Sequence, residues 1–445
     1  MSSSGSSKPF LDFKGVVIID VPDEDFEVSQ EHCCIYEVPK SIRQAKEDDY
    51  TPQLISIGPL HHGNQKLAEM EKHKLRYLKK FCARTSNSKE ATLGDFLNFI
   101  EDNEGRIGKC YQKSVSKAEF ESTKFREMIL LDAVFIIELF IRHKQNQNDD
   151  VLVSKPWLKR DIKVDLILLE NQLPFFVLVT LYNRAGPLPD CPSDFLELAC
   201  NFFNINLDSV SSERDKIKHF TDLKRWELVK NPPQPKTKPK PKPKAKPDDS
   251  GASEDIKWVD NLCNATKLHE AGVKFKAGLK PNGASDLLKI EFSNKELIIP
   301  PLIVHPYSES HTRNVIALEQ CHYPQTAYVS AYIYFLVHLI NTEEDVELLV
   351  KKGIIINRMG STTAVAELFN KHLEGVERFS TCYQHIARDL IKCYKSSCNR
   401  EIANLKNVYF KNLLNGTVSV AALLVVLFTF TQTIFAILER FKPIN

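Results

Sequence analysis

One uncharged apolar stretch near the C-terminus constrains the fold of this chain more than any other feature. Val418 to Leu438 contains 21 residues without a single Asp, Glu, Lys or Arg. A helix of that length rises by about 30 Å, which is the thickness of the hydrocarbon core of a bilayer. The alternative is a buried core helix, but only seven residues follow the stretch and could cover it. The stretch therefore predicts a transmembrane helix.

The N-terminus bears on the orientation of such a span. Its longest apolar run, Val16 to Ile19, is followed at once by Asp20 and is too short for a signal peptide. Insertion after translation then favours a cytosolic location for the bulk of the chain. Basic residues flank the span on both sides, so the positive-inside rule does not decide the orientation. The expectation is a single-pass membrane protein, with plasma membrane and endomembrane both open.

Composition gives the chain no general electrostatic partner. Its 59 Lys and Arg residues against 57 Asp and Glu residues leave a net charge of +2. A charge so close to zero provides no drive toward nucleic acid, and we expect no nucleic-acid partner.

The 11 cysteines include no C-x-x-C pair. This favours free thiols in a reducing compartment over a secreted disulfide framework, which stays the alternative.

A stretch rich in proline and lysine divides the chain. Asn231 to Asp249 holds seven prolines and six lysines, which predicts an extended spacer. It is interpreted as a solvated loop; the alternatives are a ligand for a proline-binding groove and a basic patch for acidic lipids.

The predicted order of segments along the chain is a disordered tail (1–30), a helical part (31–230), the linker (231–255), a hairpin plus helical part (256–414), a transmembrane helix (415–438) and a short tail (439–445).

Helical periodicity dominates the part before the linker. Phe125 to His143 is apolar on nearly every side and predicts a central core helix. Asp165 to Tyr182 is similar, but Pro174 must interrupt it. The pattern predicts a helix that ends near Glu170, a tight turn, and a second helix that begins at Pro174.

Alternating residues after the linker predict a small β-structure. Leu287 to Phe292 alternates, Ser293 to Lys295 can turn, and Glu296 to Ile299 continues extended. Val273 to Phe275 is a possible third strand. The predicted fold class is therefore mainly α with a small antiparallel β-sheet or hairpin and a C-terminal transmembrane helix.

Several polar residues lie inside or beside apolar runs. Paired carboxylates in a pocket could perform acid–base catalysis or bind a metal, whereas buried acids more often pair with arginines or with the ends of helices. The second interpretation is favoured, so these residues are candidates for a structural polar core. We expect no catalytic residue, metal ligand or cofactor. The set is Asp132, Asp165, Glu170, Asn171, Gln172 and Glu319.

Eight segments and the C-terminal run together resemble one family. They are YTPQLISIGPLHHG (50–63), MEKHK (70–74), LLDAVFIIELF (130–140), DLILLENQLPFFVL (165–178), KLHEAGVKFK (267–276), LIIPPLIV (297–304), NVIALEQC (314–321), DVELLVKKGIIIN (345–357) and YFKNLLNG…TFTQTIFAIL (409–438). Their order is similar to that of the plant proteins known as domain of unknown function 247. The resemblance implies a plant origin, one C-terminal membrane helix and no established enzymatic activity. Some relatives in grasses are associated with self-incompatibility.

Two classes of function follow from these observations. The first is a membrane-anchored binding, recognition or signalling protein in plants, with the bilayer at Val418 to Leu438 and a protein as its partners. The second is an enzyme whose active site is formed by buried carboxylates. The absence of any motif that carries chemistry favours the first.

Overall fold

The computed structural model describes residues 32–85, 92–112, 121–232, 259, 261–278, 287–377, 382–396, 421–422 and 424–434. The tails predicted at 1–30 and 439–445 lie outside these residues, and so does most of the linker predicted at 231–255.

Ten α-helices make up the described N-terminal half. They are α1 (Lys40–Arg43), α2 (Ala68–Thr85), α3 (Leu93–Asp102), α4 (Glu104–Lys109), α5 (Ser122–Lys144), α6 (Val151–Ser154), α7 (Pro156–Asp165), α8 (Phe175–Arg184), α9 (Phe195–Phe203) and α10 (Phe220–Val229).

Helix α5 is the centre of this half. Most of its residues are buried, from Phe125 to Arg142, because the helix is apolar on almost every side. Helices α2, α3, α8 and α9 pack against it. The core helix predicted at Phe125 to His143 is thus confirmed.

The break before Pro174 comes earlier than predicted. Helix α7 ends at Asp165, five residues before Glu170, and α8 begins at Phe175. Between them the chain makes turns, in which the carbonyl groups no longer accept the i+4 backbone hydrogen bonds of an α-helix. The Gln172 side-chain amide donates to the Leu166 and Leu168 carbonyls, at 2.7 Å each, and so replaces the missing helical bonds.

Six further helices and five strands form the described C-terminal half. The helices are α11 (Ala265–Glu270), α12 (Ser308–His322), α13 (Tyr328–Leu339), α14 (Glu343–Lys351), α15 (Thr362–Lys371) and α16 (Gln384–Lys395). The strands are β1 (Lys274–Ala277), β2 (Glu291–Ser293), β3 (Glu296–Ile299), β4 (Leu302–Val304) and β5 (Ile355–Asn357).

The strands form two small sheets. In the first, β2 and β3 are the predicted antiparallel hairpin, and Asn294 and Lys295 in its turn both have positive φ. Strand β1 is the anticipated third strand, but it pairs parallel to β3, so the sheet is mixed and not purely antiparallel. The second sheet pairs β4 parallel to β5 and was not predicted.

Each half has its own hydrophobic core. Buried residues from Cys34 to Leu223 form the first, and buried residues from Val229 to Ile391 form the second. We call the described residues within 32–219 the N-terminal lobe and those within 261–396 the C-terminal lobe, with α10 between them. A third, smaller cluster joins the two lobes. It consists of Val38, Ile42, Tyr50, Leu169, Ala317 and Leu318.

The predicted C-terminal transmembrane helix is not supported. Within the described part of the chain, no helix has the length and apolar character that a membrane crossing requires. Of the predicted span, residues 421–422 and 424–434 are helical with exposed side chains, and the other positions lie outside the described residues. This part of the fold prediction is wrong.

Candidate ligand-binding cavity

Five of the predicted polar residues gather around one irregular segment, residues 53–61. The Asp165 carboxylate accepts hydrogen bonds from the Leu54 and Ile55 amides, at 2.7 and 2.8 Å, and from the Gln53 amide at 3.1 Å. Burial raises the pKa of Asp165 to about 6, although these three N–H groups act in the opposite direction.

The side-chain amide of Asn171 forms hydrogen bonds with backbone groups further along the same segment. Its Oδ1 accepts from the Ile57 amide at 2.7 Å. Its Nδ2 donates to the Ile55 and Asp165 carbonyls at 2.9 Å each. The side chain is fully buried and has a partner on both of its polar atoms.

Asp132 and Lys74 hold the next part of the segment from inside the core. The Asp132 carboxylate accepts from the Gly58 amide at 2.8 Å and from Lys74 Nζ at 2.6 Å. Lys74 Nζ also donates to the Ser56 carbonyl at 2.6 Å. Burial raises the pKa of Asp132, while the positive charge of Lys74 lowers it. Gly58 has φ of +71°, and a Cβ there would lie 2.6 Å from the Gln172 carbonyl oxygen, so only glycine fits.

Glu170 and Glu319 each pair with an arginine. The Glu170 carboxylate contacts Arg43, accepts from His61 at 3.1 Å, and accepts from the Val38 amide at 2.7 Å. Glu319 lies apart from the other five, on α12, where it accepts from Arg225 Nε at 3.1 Å. The six residues therefore do not form a common cleft of unpaired carboxylates.

A separate cavity of about 650 Å³ lies in the C-terminal lobe against α10, and sequence analysis missed it. Side chains of α10, α12 and α13 form part of its wall, and residues of β4 and β5 and of the segments beside β2, β4 and β5 form the rest. The wall is mostly apolar. Its apolar residues are Leu228, Leu287, Leu288, Pro301, Leu302, Ile303, Val315, Val329, Ile333 and Ile356.

Two buried polar atoms in the cavity wall have no hydrogen-bond partner among the described residues. They are Nε2 of His311 and the hydroxyl of Tyr332. Burial lowers the pKa of His311 to about 3, and nearby Lys224 contributes in the same direction. Burial also raises the pKa of the Tyr332 phenol. Both groups are consequently neutral at pH 7 and available for a hydrogen bond.

Charged residues complete the cavity wall. Lys224 Nζ lies 2.7 Å from the Glu227 carboxylate, so these two charges compensate each other. Arg358 also lines the cavity and is exposed. No sequence motif marked these positions, because His311 and Tyr332 are isolated polar residues within two largely buried helices. Among the described residues there is also no group of three His, Cys, Asp or Glu side chains that could hold a metal ion.

These features define a mainly helical protein with two hydrophobic cores, a buried polar network and an apolar cavity. The chain belongs to the family DUF247, described as plant protein of unknown function, whose model matches residues 35–428. The resemblance drawn from the sequence segments is therefore confirmed.

Two proteins of Arabidopsis thaliana are similar to this chain over nearly its full length. UPF0481 protein At3g47200 is 29% identical over 451 residues, which cover 98% of this chain and 90% of the relative. Putative UPF0481 protein At3g02645 is 21% identical and covers 95% of this chain and 94% of the relative. Neither name states an activity. No solved structure matches the chain.

Proposed function

We propose that this protein binds an apolar small molecule in the cavity of the C-terminal lobe. The observation that carries the proposal is the pair of unpartnered polar atoms, His311 Nε2 and the Tyr332 hydroxyl, in an otherwise apolar wall. Each buried polar atom without a partner costs roughly 1–3 kcal/mol. Fourteen such side-chain atoms occur among the described residues, and these two are the ones that line the cavity. A ligand that supplied the missing hydrogen bonds would remove this cost.

The chemistry of the wall specifies the ligand class. The apolar side chains favour a hydrocarbon body, because burying apolar area releases about 25 cal/mol per Å². Neutral His311 and neutral Tyr332 favour an uncharged hydroxyl or carbonyl group on that body. Pockets of this kind, apolar with a few placed polar groups, are typical of small-molecule sites.

The proposal agrees with the expectation of a binding or recognition protein and names the cavity as its binding site. The enzymatic alternative needs free carboxylates, but Asp132, Glu170 and Glu319 are each paired with a cation. None of these three lines the cavity. A protein partner stays a prediction.

Calorimetric titration of decanol, which has an apolar body and one hydroxyl, tests the proposal. The wild-type chain should bind it saturably. The double variant His311→Phe with Tyr332→Phe should bind at least about tenfold more weakly, which is the loss of about 1.4 kcal/mol. His372→Phe is the matched control, because His372 is a buried histidine outside the cavity. Equal binding by the double variant and the control, or no saturable binding by the wild type, would refute the proposal.

A further inference from the structure

Cys34 and Cys110 lie side by side where the N-terminal segment meets the end of α4. The Cys34 and Ile35 amides both donate to the Cys110 carbonyl, at 2.9 Å each. Ile35 and Tyr111 form a parallel bridge directly beside the two cysteines. A disulfide joins Cα atoms about 4.4–6.8 Å apart, so it requires two backbones in direct contact. These hydrogen bonds provide that contact.

The two side chains influence each other: interaction with Cys34 lowers the pKa of Cys110, and interaction with Cys110 raises that of Cys34. The Cys110 thiol donates to the Arg106 carbonyl at 3.4 Å. Arg106 and Lys218 lower the pKa of Cys110 further. Cys110 is therefore the sulfur that more readily becomes a thiolate, and the thiolate is the reactive form. With 8% of Cys110 exposed and 4% of Cys34, only a small oxidant can reach the pair.

We propose that Cys34 and Cys110 form a reversible disulfide when the protein meets a peroxide. The Cys110 thiolate attacks one oxygen of hydrogen peroxide, the O–O bond breaks, and a sulfenic acid and hydroxide form. The Cys34 sulfur then attacks the sulfenic sulfur. The S–S bond forms, the S–O bond breaks, and the leaving oxygen and the thiol proton depart as water. A dithiol such as dithiothreitol reverses the reaction by exchange and is itself oxidised to a cyclic disulfide.

The bond would fasten a segment that touches both lobes. The Cys34 carbonyl accepts from His219 Nε2 at 2.9 Å. Two residues later, the Tyr36 hydroxyl lies 2.9 Å from His322 Nδ1 in the C-terminal lobe. The amide of Val38 donates to Glu170. A disulfide between residues far apart in sequence restricts the unfolded chain, so oxidation should raise the melting temperature.

Peroxide treatment of the reduced full chain, followed by alkylation, proteolysis and mass spectrometry, tests the proposal. The expected product is one peptide pair joined through Cys34 and Cys110, with loss of two of the 11 thiols and return of both after dithiothreitol. Oxidation should raise the melting temperature by several degrees in the wild type and not in Cys34→Ser or Cys110→Ser.

Cys33→Ser is the matched control. Cys33 is buried and adjacent in the chain, but its thiol points to the Ile35 carbonyl at 3.9 Å. This variant should form the Cys34–Cys110 bond as the wild type does. A different pairing, or irreversible sulfinic acid without a crosslink, would overturn the proposal. The peptide map of the wild type gives this answer even if a serine variant fails to fold.

Discussion

Lys74 and Asp132 form an ion pair inside the N-terminal core, with Nζ 2.6 Å from the carboxylate and both side chains buried. The pair is also the internal support of the irregular segment above it, because Lys74 donates to the Ser56 carbonyl and Asp132 accepts from the Gly58 amide. Removal of one partner leaves a buried charge and a backbone group without partners.

Lys74→Met should therefore lower the free energy of unfolding by about 3–5 kcal/mol. Urea unfolding followed by circular dichroism measures the change. Lys72→Met, on the same helix at an exposed position, is the control and should change stability by less than about 0.5 kcal/mol. Similar losses for the two variants would contradict a structural role for the buried pair.

Asn171→Ala should destabilise the protein by roughly 1–3 kcal/mol, because it leaves the Ile57 amide and the Ile55 carbonyl buried without their partner. Chemical unfolding of this variant beside Asn183→Ala, whose residue is exposed, makes the comparison. Decanol affinity should be the same in both. If Asn171→Ala kept full stability but lost ligand binding, the result would indicate that the ligand binds at this polar network and not in the cavity.

Tyr332→Phe should keep or raise stability, by up to about 1 kcal/mol, because it removes a buried hydroxyl that has no partner among the described residues. Tyr77→Phe should do the opposite, since the Tyr77 hydroxyl donates to Asp150 at 2.7 Å. Melting temperatures of the two variants test this contrast. A clear loss of stability in Tyr332→Phe would mean that the hydroxyl is satisfied within the protein.

His219 should make the protein less stable in acid. Its ring is fully buried, and burial lowers its pKa from the usual 6.5 to about 3. Between these two pH values the unfolded chain binds a proton that the folded chain does not, so stability falls as the pH falls. The loss is up to about 1.4 kcal/mol per pH unit.

The measurement is the urea midpoint at pH 7 and pH 5 for the wild type and for His219→Gln. Gln can still donate to the Cys34 carbonyl, as His219 does, but does not titrate. The variant should show a smaller loss between the two pH values. An unchanged loss would assign the acid sensitivity to other groups.

Sequence patterns predicted those elements whose burial follows from local periodicity. Helix α5 is apolar on nearly all sides, and the β2–β3 hairpin has a turn at Asn294 that accepts positive φ. The parallel pairing of β1 with β3 depends on contacts distant in sequence, which alternation alone does not encode. The predicted transmembrane helix rested on composition alone, and no helix among the described residues meets the requirements of a membrane crossing.

Sequence reasoning also singled out the polar network but not its contacts. Glu170, Asn171 and Gln172 were candidates because they lie between apolar runs. Their partners, such as Val38 for Glu170, are far away in sequence and could be identified only in the fold. The cavity was missed because its lining comes from α10, α12, α13, β4 and β5, which are far apart in sequence, and because its polar members, such as His311, are isolated side chains.

The central claim is that the cavity holds a small apolar ligand, and filling the cavity tests it most directly. Ile333 lines the wall, so Ile333→Trp places a large side chain in the ligand's volume. Leu75→Trp, at an exposed position on α2, adds the same side chain elsewhere. The measurement is fluorescence of Nile red, an uncharged apolar dye with a carbonyl group, and its displacement by decanol. Wild type and Leu75→Trp should show saturable, displaceable binding, and Ile333→Trp, still folded by circular dichroism, should show none. The same displaceable binding in Ile333→Trp would contradict the account.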